Sequence, residues 1–147
     1  MVDLSQREID YLIVVFKKCR EVGYARNKEI VKELNVSKST ASLMLKKLSK
    51  MGLIKRSRRR IELTSRGKKT LTELSWRHCV VECALSSLGV SPKDSCRAGW
   101  KIGTLLSKEM IEELWEKLGR PEICPCGLKI PDIPQYKEIT NYHICRI

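Results

Sequence analysis

Apolar residues in the first part of the chain recur at helical spacing. They stand at the i, i+3, i+4 and i+7 positions of an amphipathic helix, namely Ile9, Leu12, Ile13 and Phe16. Ser5 with Glu8 three residues later is the pattern of a capping box, and Gly23 is a typical residue for a helix end. The pattern therefore predicts a helix between Ser5 and Gly23.

Two shorter helical patterns follow, separated by a turn at Asn35-Val36. The first covers Asn27 to Leu34, and the second is capped by Ser37 and runs to about Lys50. Two short helices with a tight turn, the second beginning with small hydroxyl residues and carrying lysines, are typical of a helix-turn-helix. The candidate DNA-contacting residues of the second helix are Ser37, Lys38, Ser39, Thr40, Ser42, Lys46 and Lys47.

Two short segments after this helix predict a β-hairpin. Leu53 to Arg56 and Ile61 to Thr64 have strand character, and five of the six residues at positions 55–60 are basic. A basic hairpin that directly follows a recognition-helix pattern is typical of the wing of a winged helix. We therefore predict that Arg58, Arg59 and Arg60 contact DNA phosphates or enter the minor groove.

Three further helices are predicted in the second half. One continues from Ser65 to about Leu88, the next begins at Ser91-Pro92, and the last runs from Ser107 to Leu118. Residues 120–134 contain four prolines and the segment Cys124-Pro125-Cys126-Gly127, which predicts a loop. The expected fold class is mainly α, with a winged helix-turn-helix at 1–72, a helical domain at 73–134 and a C-terminal tail at 135–147.

Charge and cysteine divide the chain into two halves. Residues 1–75 carry 19 Lys and Arg against 8 Asp and Glu, whereas residues 76–147 carry 10 against 9. Six of the seven cysteines lie in the second half. A basic patch on a small domain indicates a nucleic-acid binder, because each neutralised phosphate releases a counterion.

The chemistry expected of the cysteines depends on the cellular compartment of the protein. No signal-peptide pattern and no apolar run of membrane-spanning length is found, so the chain is expected in the cytoplasm without a membrane partner. Thiols are kept reduced there, so seven cysteines favour metal or redox chemistry over a disulfide framework.

With these elements in order, the chain resembles the diphtheria-toxin-repressor family of metal-dependent transcription regulators, in its short two-domain form. The resemblance covers about residues 4–131 and is most specific at Arg77-His78 with Glu82 and at Cys124-Pro125-Cys126-Gly127. Matching stretches in the first half are Leu4-Ser5-Gln6, Ala25 to Ile30, Val36 to Ala41 and Leu63 to Gly67. The resemblance implies a homodimer on a palindromic double-stranded DNA operator, with the second domain binding metal and forming the dimer.

The resemblance also implies two metal sites. The ancillary site falls on His78, Glu82 and Cys96. The primary site retains Asp10, but its other positions lack a side chain suited to such an ion, because they are Trp100, Gly103 and Thr104. The family's primary ferrous or manganese site is therefore expected to be dismantled in this chain.

Cysteine thiols are expected to act as cofactor ligands at the ancillary site. Cys79 and Cys83 are four residues apart on one helix face, next to the ancillary residues. Cys96 on the following helix and Cys124 on the loop, with Cys126 close by, are expected to converge there. Because soft thiolates select zinc, cuprous copper or iron–sulfur clusters, we predict an iron–sulfur cluster, with thiolate-bound zinc or ferrous iron as the alternative and reduced core cysteines as a third reading.

The sequence thus predicts a transcription repressor whose operator binding responds to this cofactor. Two alternatives stay open: a constitutive DNA-binding regulator with a structural zinc site, and a thiol redox sensor without a cofactor. An enzyme with Cys79 or Cys83 as nucleophile is disfavoured. The adjacent residues His78 and Cys79 point about 100° apart on a helix, and no oxyanion-hole motif accompanies them.

Overall fold

The computed structural model describes residues 3–131. The chain divides into two compact units, Met1–Leu71 and Thr72–Ile147. In chain order the elements are α1 (Gln6–Val22), α2 (Asn27–Leu34), α3 (Lys38–Lys50), β1 (Ile54–Ser57), β2 (Arg60–Leu63), α4 (Ser65–Ser87), α5 (Pro92–Ile102) and α6 (Lys108–Lys117). The predicted mainly α fold is confirmed, and the predicted tail lies outside the described residues.

The first helix begins and ends where the capping pattern predicted. Ser5 Oγ accepts a hydrogen bond from the Glu8 N–H at 3.3 Å, and Glu8 Oε2 accepts one from the Ser5 N–H at 2.7 Å. This reciprocal pair satisfies backbone donors that the first helical turn leaves unpaired. At the other end Gly23 adopts a φ of 89° and donates its N–H to the Cys19 carbonyl. A left-handed φ of this kind strongly favours glycine.

Glu8 also joins α1 to α3. Its side chain is buried, and its carboxylate forms an ion pair with the ammonium of Lys47 on α3. Burial raises the pKa of Glu8, but the bonds from Lys47 and Ser5 outweigh that effect, so the pKa is lowered overall. The Lys47 ammonium, a predicted DNA contact, is therefore already paired with Glu8 in this structure.

The predicted helix-turn-helix is formed by α2 and α3. Asn35 ends α2 in the left-handed region with a φ of 50°, and Ser37 caps α3 by accepting the Thr40 N–H at 3.1 Å. Asn tolerates that conformation better than most residues, which allows the turn to be tight. The buried side of α3 carries Ala41, Leu45 and Leu48.

The hairpin after α3 is joined to the segment between α1 and α2. Strands β1 and β2 pair antiparallel, with Ile54 opposite Leu63 and Ser57 opposite Arg60. Ala25 adds a bridge to the outer side of β2, because its N–H and carbonyl bond Ile61 at 2.8 and 2.9 Å. This bridge anchors the wing to the start of α2, which periodicity alone did not indicate.

The second unit is organised around α4. An inner stripe of apolar residues was expected there, yet all residues from Leu74 to Glu82 are buried, polar ones included. Trp76 packs edge to face on Trp115 of α6, with ring centroids 6.1 Å apart. The loop after α6 closes as a small hairpin through a bridge between Ile123 and Lys129. The core cluster contains Trp76, Cys79, Val80, Val81, Cys96, Ile111, Cys124 and Ile130.

We predict that Glu8→Gln lowers the free energy of unfolding by about 1–3 kcal/mol at neutral pH, because the amide keeps the cap but loses the charge facing Lys47. The Glu8 pKa is lowered in the folded state, so its carboxylate stabilises the fold above its unfolded pKa of about 4.3. That contribution is lost as the pH falls through the folded pKa. Urea unfolding of both proteins at pH 7 and pH 3 should therefore show a gap that closes on acidification.

The matched control is Glu29→Gln. Glu29 caps α2 by accepting the Arg26 N–H at 2.8 Å, but in the described residues it forms no ion pair within 4.0 Å. Glu29→Gln should lower the free energy of unfolding at pH 7 by less than Glu8→Gln does, and this loss should vary less with pH. Equal losses in the two variants would show that the Lys47 pair does not stabilise the fold.

Candidate functional site

Three donor side chains of the second unit lie around one buried carboxylate, that of Glu82. His78 and Glu82 lie one turn apart on α4, with His78 Nε2 3.2 Å from Glu82 Oε2. Cys96 on α5 places its Sγ 3.6 Å from His78 Nε2. Cys126 on the loop after α6 donates to Glu82 Oε1 at 2.9 Å. The residues come from three separate elements, so only the folded unit brings them together.

The buried negative charge of this cluster favours the binding of a cation. Glu82 is 0% exposed and His78 is 1% exposed. Among the described residues no Lys or Arg pairs with Glu82, and Glu82 Oε2 accepts no hydrogen bond. Buried carboxylates are costly unless they are paired or coordinate a metal. A divalent ion between Glu82, His78 and the two thiols would supply the missing charge.

The donor spacing fits one metal ion. Zinc binds sulfur, nitrogen and oxygen at about 2.0–2.3 Å, which places the donors of a tetrahedron about 3.3–3.8 Å apart. The contacts of His78 Nε2 with Cys96 and Glu82, at 3.6 and 3.2 Å, are close to that range. The donor atoms of Glu82, Cys96 and Cys126 also lie within 4.8 Å of one another. Cys126 is exposed and gives the site an edge towards solvent.

The orientation of His78 is set by α5. The Trp100 ring stacks on the imidazole, with centroids 4.2 Å apart and planes inclined by 18°. At Gly99 a Cβ atom would lie 2.8 Å from the His78 carbonyl oxygen and 2.9 Å from His78 Nδ1. Glycine therefore permits this close approach, with Nδ1 directed at the α5 backbone and Nε2 facing the other donors. Trp100, which stands at a position of the family's primary site, packs against a predicted ligand.

The remaining thiols of the second unit form a different group. A hydrogen bond with the Cys124 thiol, burial, and the nearby Cys124, Glu82 and Cys83 side chains raise the pKa of Cys79. Burial, Cys124 and Glu82 raise the pKa of Cys83 to about 11. Both thiols therefore carry their protons at neutral pH in the metal-free protein.

The expected convergence of Cys79, Cys83, Cys96 and Cys124 on one centre is not found among residues 3–131. Two overlapping groups with metal-ligand spacing occur there, one of His78, Cys79 and Glu82 and the other of Glu82, Cys96 and Cys126. Neither holds more than two thiols. The tight loop is the physical reason: Cys124 is buried against α4, whereas Cys126, two residues later, turns towards the Glu82 carboxylate.

The predicted DNA-contacting residues lie mostly on exposed parts of the first unit. Ser37, Ser39 and Thr40 at the start of α3 are exposed and hydrogen-bond to one another through their hydroxyls. Ser42 is half-buried, while Lys38, Lys46 and Lys47 are exposed. Apart from the pairing of Lys47 with Glu8, this surface has the hydroxyl and ammonium groups that contact base edges and phosphates.

The wing arginines line a basic cavity of about 750 Å³. The Arg60 guanidinium lies 4.5 Å from the Tyr24 ring centroid, and that of Arg26 lies 5.4 Å from it. Sequence reasoning missed Tyr24 and Arg26, because their approach to the wing depends on the bridge between Ala25 and Ile61. The lining residues are Tyr24, Arg26, Ser57, Arg58, Arg59 and Arg60.

Two family descriptions cover nearly all of the described chain. "Iron dependent repressor, N-terminal DNA binding domain" matches residues 3–60. "Iron dependent repressor, metal binding and dimerisation domain" matches residues 64–132. The chain belongs to the iron-dependent repressor family. It therefore has the family's DNA-binding domain and its metal-binding and dimerisation domain, and it is a transcription regulator and not an enzyme.

Individual members and solved structures agree with this assignment. The transcriptional regulator MntR of Escherichia coli O6:H1 (strain CFT073) is 38% identical over 113 residues, 75% of this chain and 73% of that protein. The crystal structure of the hypothetical protein SSo2273 from Sulfolobus solfataricus is 30% identical, with a TM-score of 0.80 over 88% of this chain and all of that one. ScaR with bound Zn²⁺ is 26% identical, with a TM-score of 0.75 over 86% of this chain and 60% of ScaR.

The positions expected from the family's primary site are distributed over both units of this iron-dependent repressor. Asp10 lies on α1 of the first unit and accepts a hydrogen bond from Gln6 Nε2 at 3.2 Å. In the second unit Trp100 stacks on His78, and the Thr104 hydroxyl donates to the Lys101 carbonyl. A metal-binding role for Asp10 stays a prediction. No helix among residues 3–131 is long and apolar enough to cross a membrane.

Replacing Arg58, Arg59 and Arg60 together by Ala should weaken DNA binding on all sequences and reduce the salt slope by up to about three charge units. The reason is that each phosphate contact releases counterions, and this release causes the salt dependence of the affinity. Fluorescence anisotropy on random duplex DNA at several salt concentrations measures the affinity and its salt slope. The control removes the same charge from exposed residues of the second unit and should leave the slope unchanged, with Lys93, Lys117 and Arg120 changed to Ala. If the wing variant had the same salt slope as wild type, the wing would not be in contact with the DNA phosphates.

Gly99→Ala should destabilise the second unit by about 1–3 kcal/mol and weaken metal binding, because the new methyl group collides with the His78 backbone and ring. Thermal unfolding and a competitive zinc titration measure the two effects. Arg97→Ala on the exposed face of the same helix is the control and should change neither. Unaltered zinc affinity in a destabilised Gly99→Ala protein would mean that the His78 orientation does not matter for the site.

Proposed function

We propose that this chain is a metal-responsive transcription repressor that binds one zinc or ferrous ion through His78, Glu82, Cys96 and Cys126. The observation that carries the proposal is the fully buried Glu82 carboxylate, which among residues 3–131 faces an imidazole and a thiol but no Lys or Arg. A bound ion would supply positive charge there and replace the thiol protons.

A single ion is a better match to this donor set than an iron–sulfur cluster. Clusters of this kind are usually held by four thiolates. The donor groups found here combine at most two thiols with one carboxylate or imidazole. Mixed sulfur, nitrogen and oxygen ligands suit zinc and ferrous iron, whereas manganese and magnesium prefer oxygen. The proposal thus prefers the alternative cofactor of the sequence analysis, and a cluster is an outcome that the test below detects.

DNA binding is assigned to a homodimer in the cytoplasm that recognises a palindromic operator. Each α3 would enter a major groove and each wing would contact the neighbouring backbone, with half-sites about 34 Å apart. Exposed apolar residues of the second unit support a dimer, since Leu105 and Met110 are 82% and 51% exposed. In a monomer these side chains would remain in water.

The metal can affect DNA binding because its ligands come from three elements. His78 and Glu82 lie on α4, Cys96 on α5 and Cys126 on the loop, so one ion would restrain all three. Helix α4 is continuous from Ser65, directly after the wing, to the ligand positions. A coupling of about 1–3 kcal/mol between metal and DNA would change operator affinity about 5- to 150-fold.

The test starts from an operator selected with the wild-type protein from a random pool of duplex DNA. The affinity of the protein for this operator is then measured anaerobically in the presence of zinc, of ferrous iron or of a chelator. We expect Cys96→Ala and Cys126→Ala to lose both metal binding and the metal-dependent change in affinity, because each removes a ligand. Cys19→Ala in the first unit is the control and should behave as wild type.

Other outcomes would contradict specific parts of the proposal. Metal loss without any change in operator affinity would make the site structural and the regulator constitutive. An affinity that follows a thiol oxidant in metal-free protein would identify a redox sensor. A brown protein with the visible absorption of an iron–sulfur cluster would replace the single ion by a cluster.

A further inference from the structure

Basic side chains surround two cavities beside the wing. The larger is the wing cavity of about 750 Å³, lined mainly by arginines. The smaller has a volume of about 370 Å³, shares Arg26, Arg58 and Arg59 with the wing cavity, and adds Lys28 and Arg56. Among the described residues no Asp or Glu lines either cavity. The two cavities therefore form one concave surface of strongly positive charge.

The charges of these arginines are not neutralised by the described part of the chain. No carboxylate within residues 3–131 lies within 4.0 Å of a guanidinium nitrogen of Arg26, Arg56, Arg58, Arg59 or Arg60. Arg58 also keeps a φ of 55° at the turn of the wing, a conformation that favours residues such as Gly or Asn. Because like charges gathered in this way repel one another, the surface favours an anion that neutralises several of them.

Tyr24 holds two of the guanidinium groups at the wing cavity. Its hydroxyl accepts a hydrogen bond from Arg26 Nη2 at 2.9 Å, and Arg26 Cζ lies 5.4 Å from the ring centroid. Arg60 on β2 places its Cζ 4.5 Å from the same centroid. The face of an aromatic ring attracts cations, so one half-buried ring orders two side chains that would otherwise repel each other. The bridge between Ala25 and Ile61 keeps Tyr24 next to the wing.

We propose that the wing cavity binds one phosphate of the DNA backbone through Arg26 and Arg60, and that Tyr24 is the positioning residue that holds these two guanidinium groups in place. Guanidinium suits this role because it donates paired N–H groups to phosphate oxygens. A ring that orders both side chains beforehand reduces the entropy lost when DNA binds. This inference rests on the DNA binding of the proposed function and is independent of its metal site.

The test replaces single phosphates of the selected operator by neutral methylphosphonates and measures affinity by fluorescence anisotropy. For wild type, one replacement in each half-site should weaken binding, because it removes the charge that the cavity holds. In Arg26→Ala that replacement should have little further effect, and the salt slope should fall by about one charge unit per chain. Arg20→Ala is the matched control, because Arg20 lies 5.8 Å from the Phe16 ring centroid but lines neither cavity. It should keep the wild-type slope and the wild-type response to the replacement.

Two variants of Tyr24 test the positioning role. Tyr24→Leu removes the ring and should weaken operator binding about two- to fivefold, the size of one exposed contact between a cation and a ring, and should reduce the response to the replaced phosphate. Tyr24→Phe keeps the ring and should lose less affinity. That smaller loss should vanish in an Arg26→Ala background, because the hydroxyl acts only through Arg26. This last comparison decides the role even where thermal unfolding shows that Tyr24→Leu does not fold.

The contrary outcomes separate this inference from the proposed function. If Arg26→Ala responds to every replaced phosphate as wild type does, or if Arg20→Ala lowers the salt slope equally, the wing cavity holds no DNA phosphate. If Tyr24→Leu folds and binds the operator as wild type does, Tyr24 positions neither arginine. In both cases a metal response of the wild-type protein would leave the proposed function intact. If the phosphate effects are as expected but metal changes nothing, the proposed function fails while this inference stands.

Discussion

A carboxylate with no access to water is the constraint on which the second unit depends. Glu82 is fully buried between α4, α5 and the loop, and within the described part of the chain its oxygens meet His78 and Cys126 instead of a Lys or Arg. In an apolar interior such a group is destabilising unless a positive charge accompanies it. The close approach of Gly99, the stack of Trp100 on His78 and the tight loop all place donors around this carboxylate. The metal-binding domain of this family member is thus built around an electrostatic requirement.

The first unit has a different organisation, in which a few polar contacts hold an exposed basic surface in shape. The capping box at Ser5 and Glu8 extends through the ion pair to Lys47, so the start of α1 is connected to the recognition helix. A second contact, the hydrogen-bonded bridge between Ala25 and Ile61, holds the wing beside Tyr24. These contacts limit the freedom of the arginines before any DNA is bound, which reduces the entropy lost on binding.

The cysteines of the second unit do not all meet at one place, so their number alone did not predict the cofactor. Cys124 and Cys126 are separated by a single proline, yet one is buried with Cys79 and the other faces Glu82. A mixed group of sulfur, nitrogen and oxygen donors favours one divalent ion over an iron–sulfur cluster, and this arrangement is the basis for the proposed zinc or ferrous ion.

Local patterns in the sequence were sufficient for the helices, their caps and the wing. Ser5, Gly23 and Ser37 mark boundaries that depend on neighbours within four residues, so these helix limits could be predicted closely. His78 with Glu82 was also predictable, because one helix turn sets their spacing. The partners of Cys96, Cys124 and Cys126, the pairing of Lys47 with Glu8 and the approach of Tyr24 to Arg60 were decided by the tertiary structure. They join residues that are distant in the chain, and no local spacing specifies which of several donors will meet when the core closes.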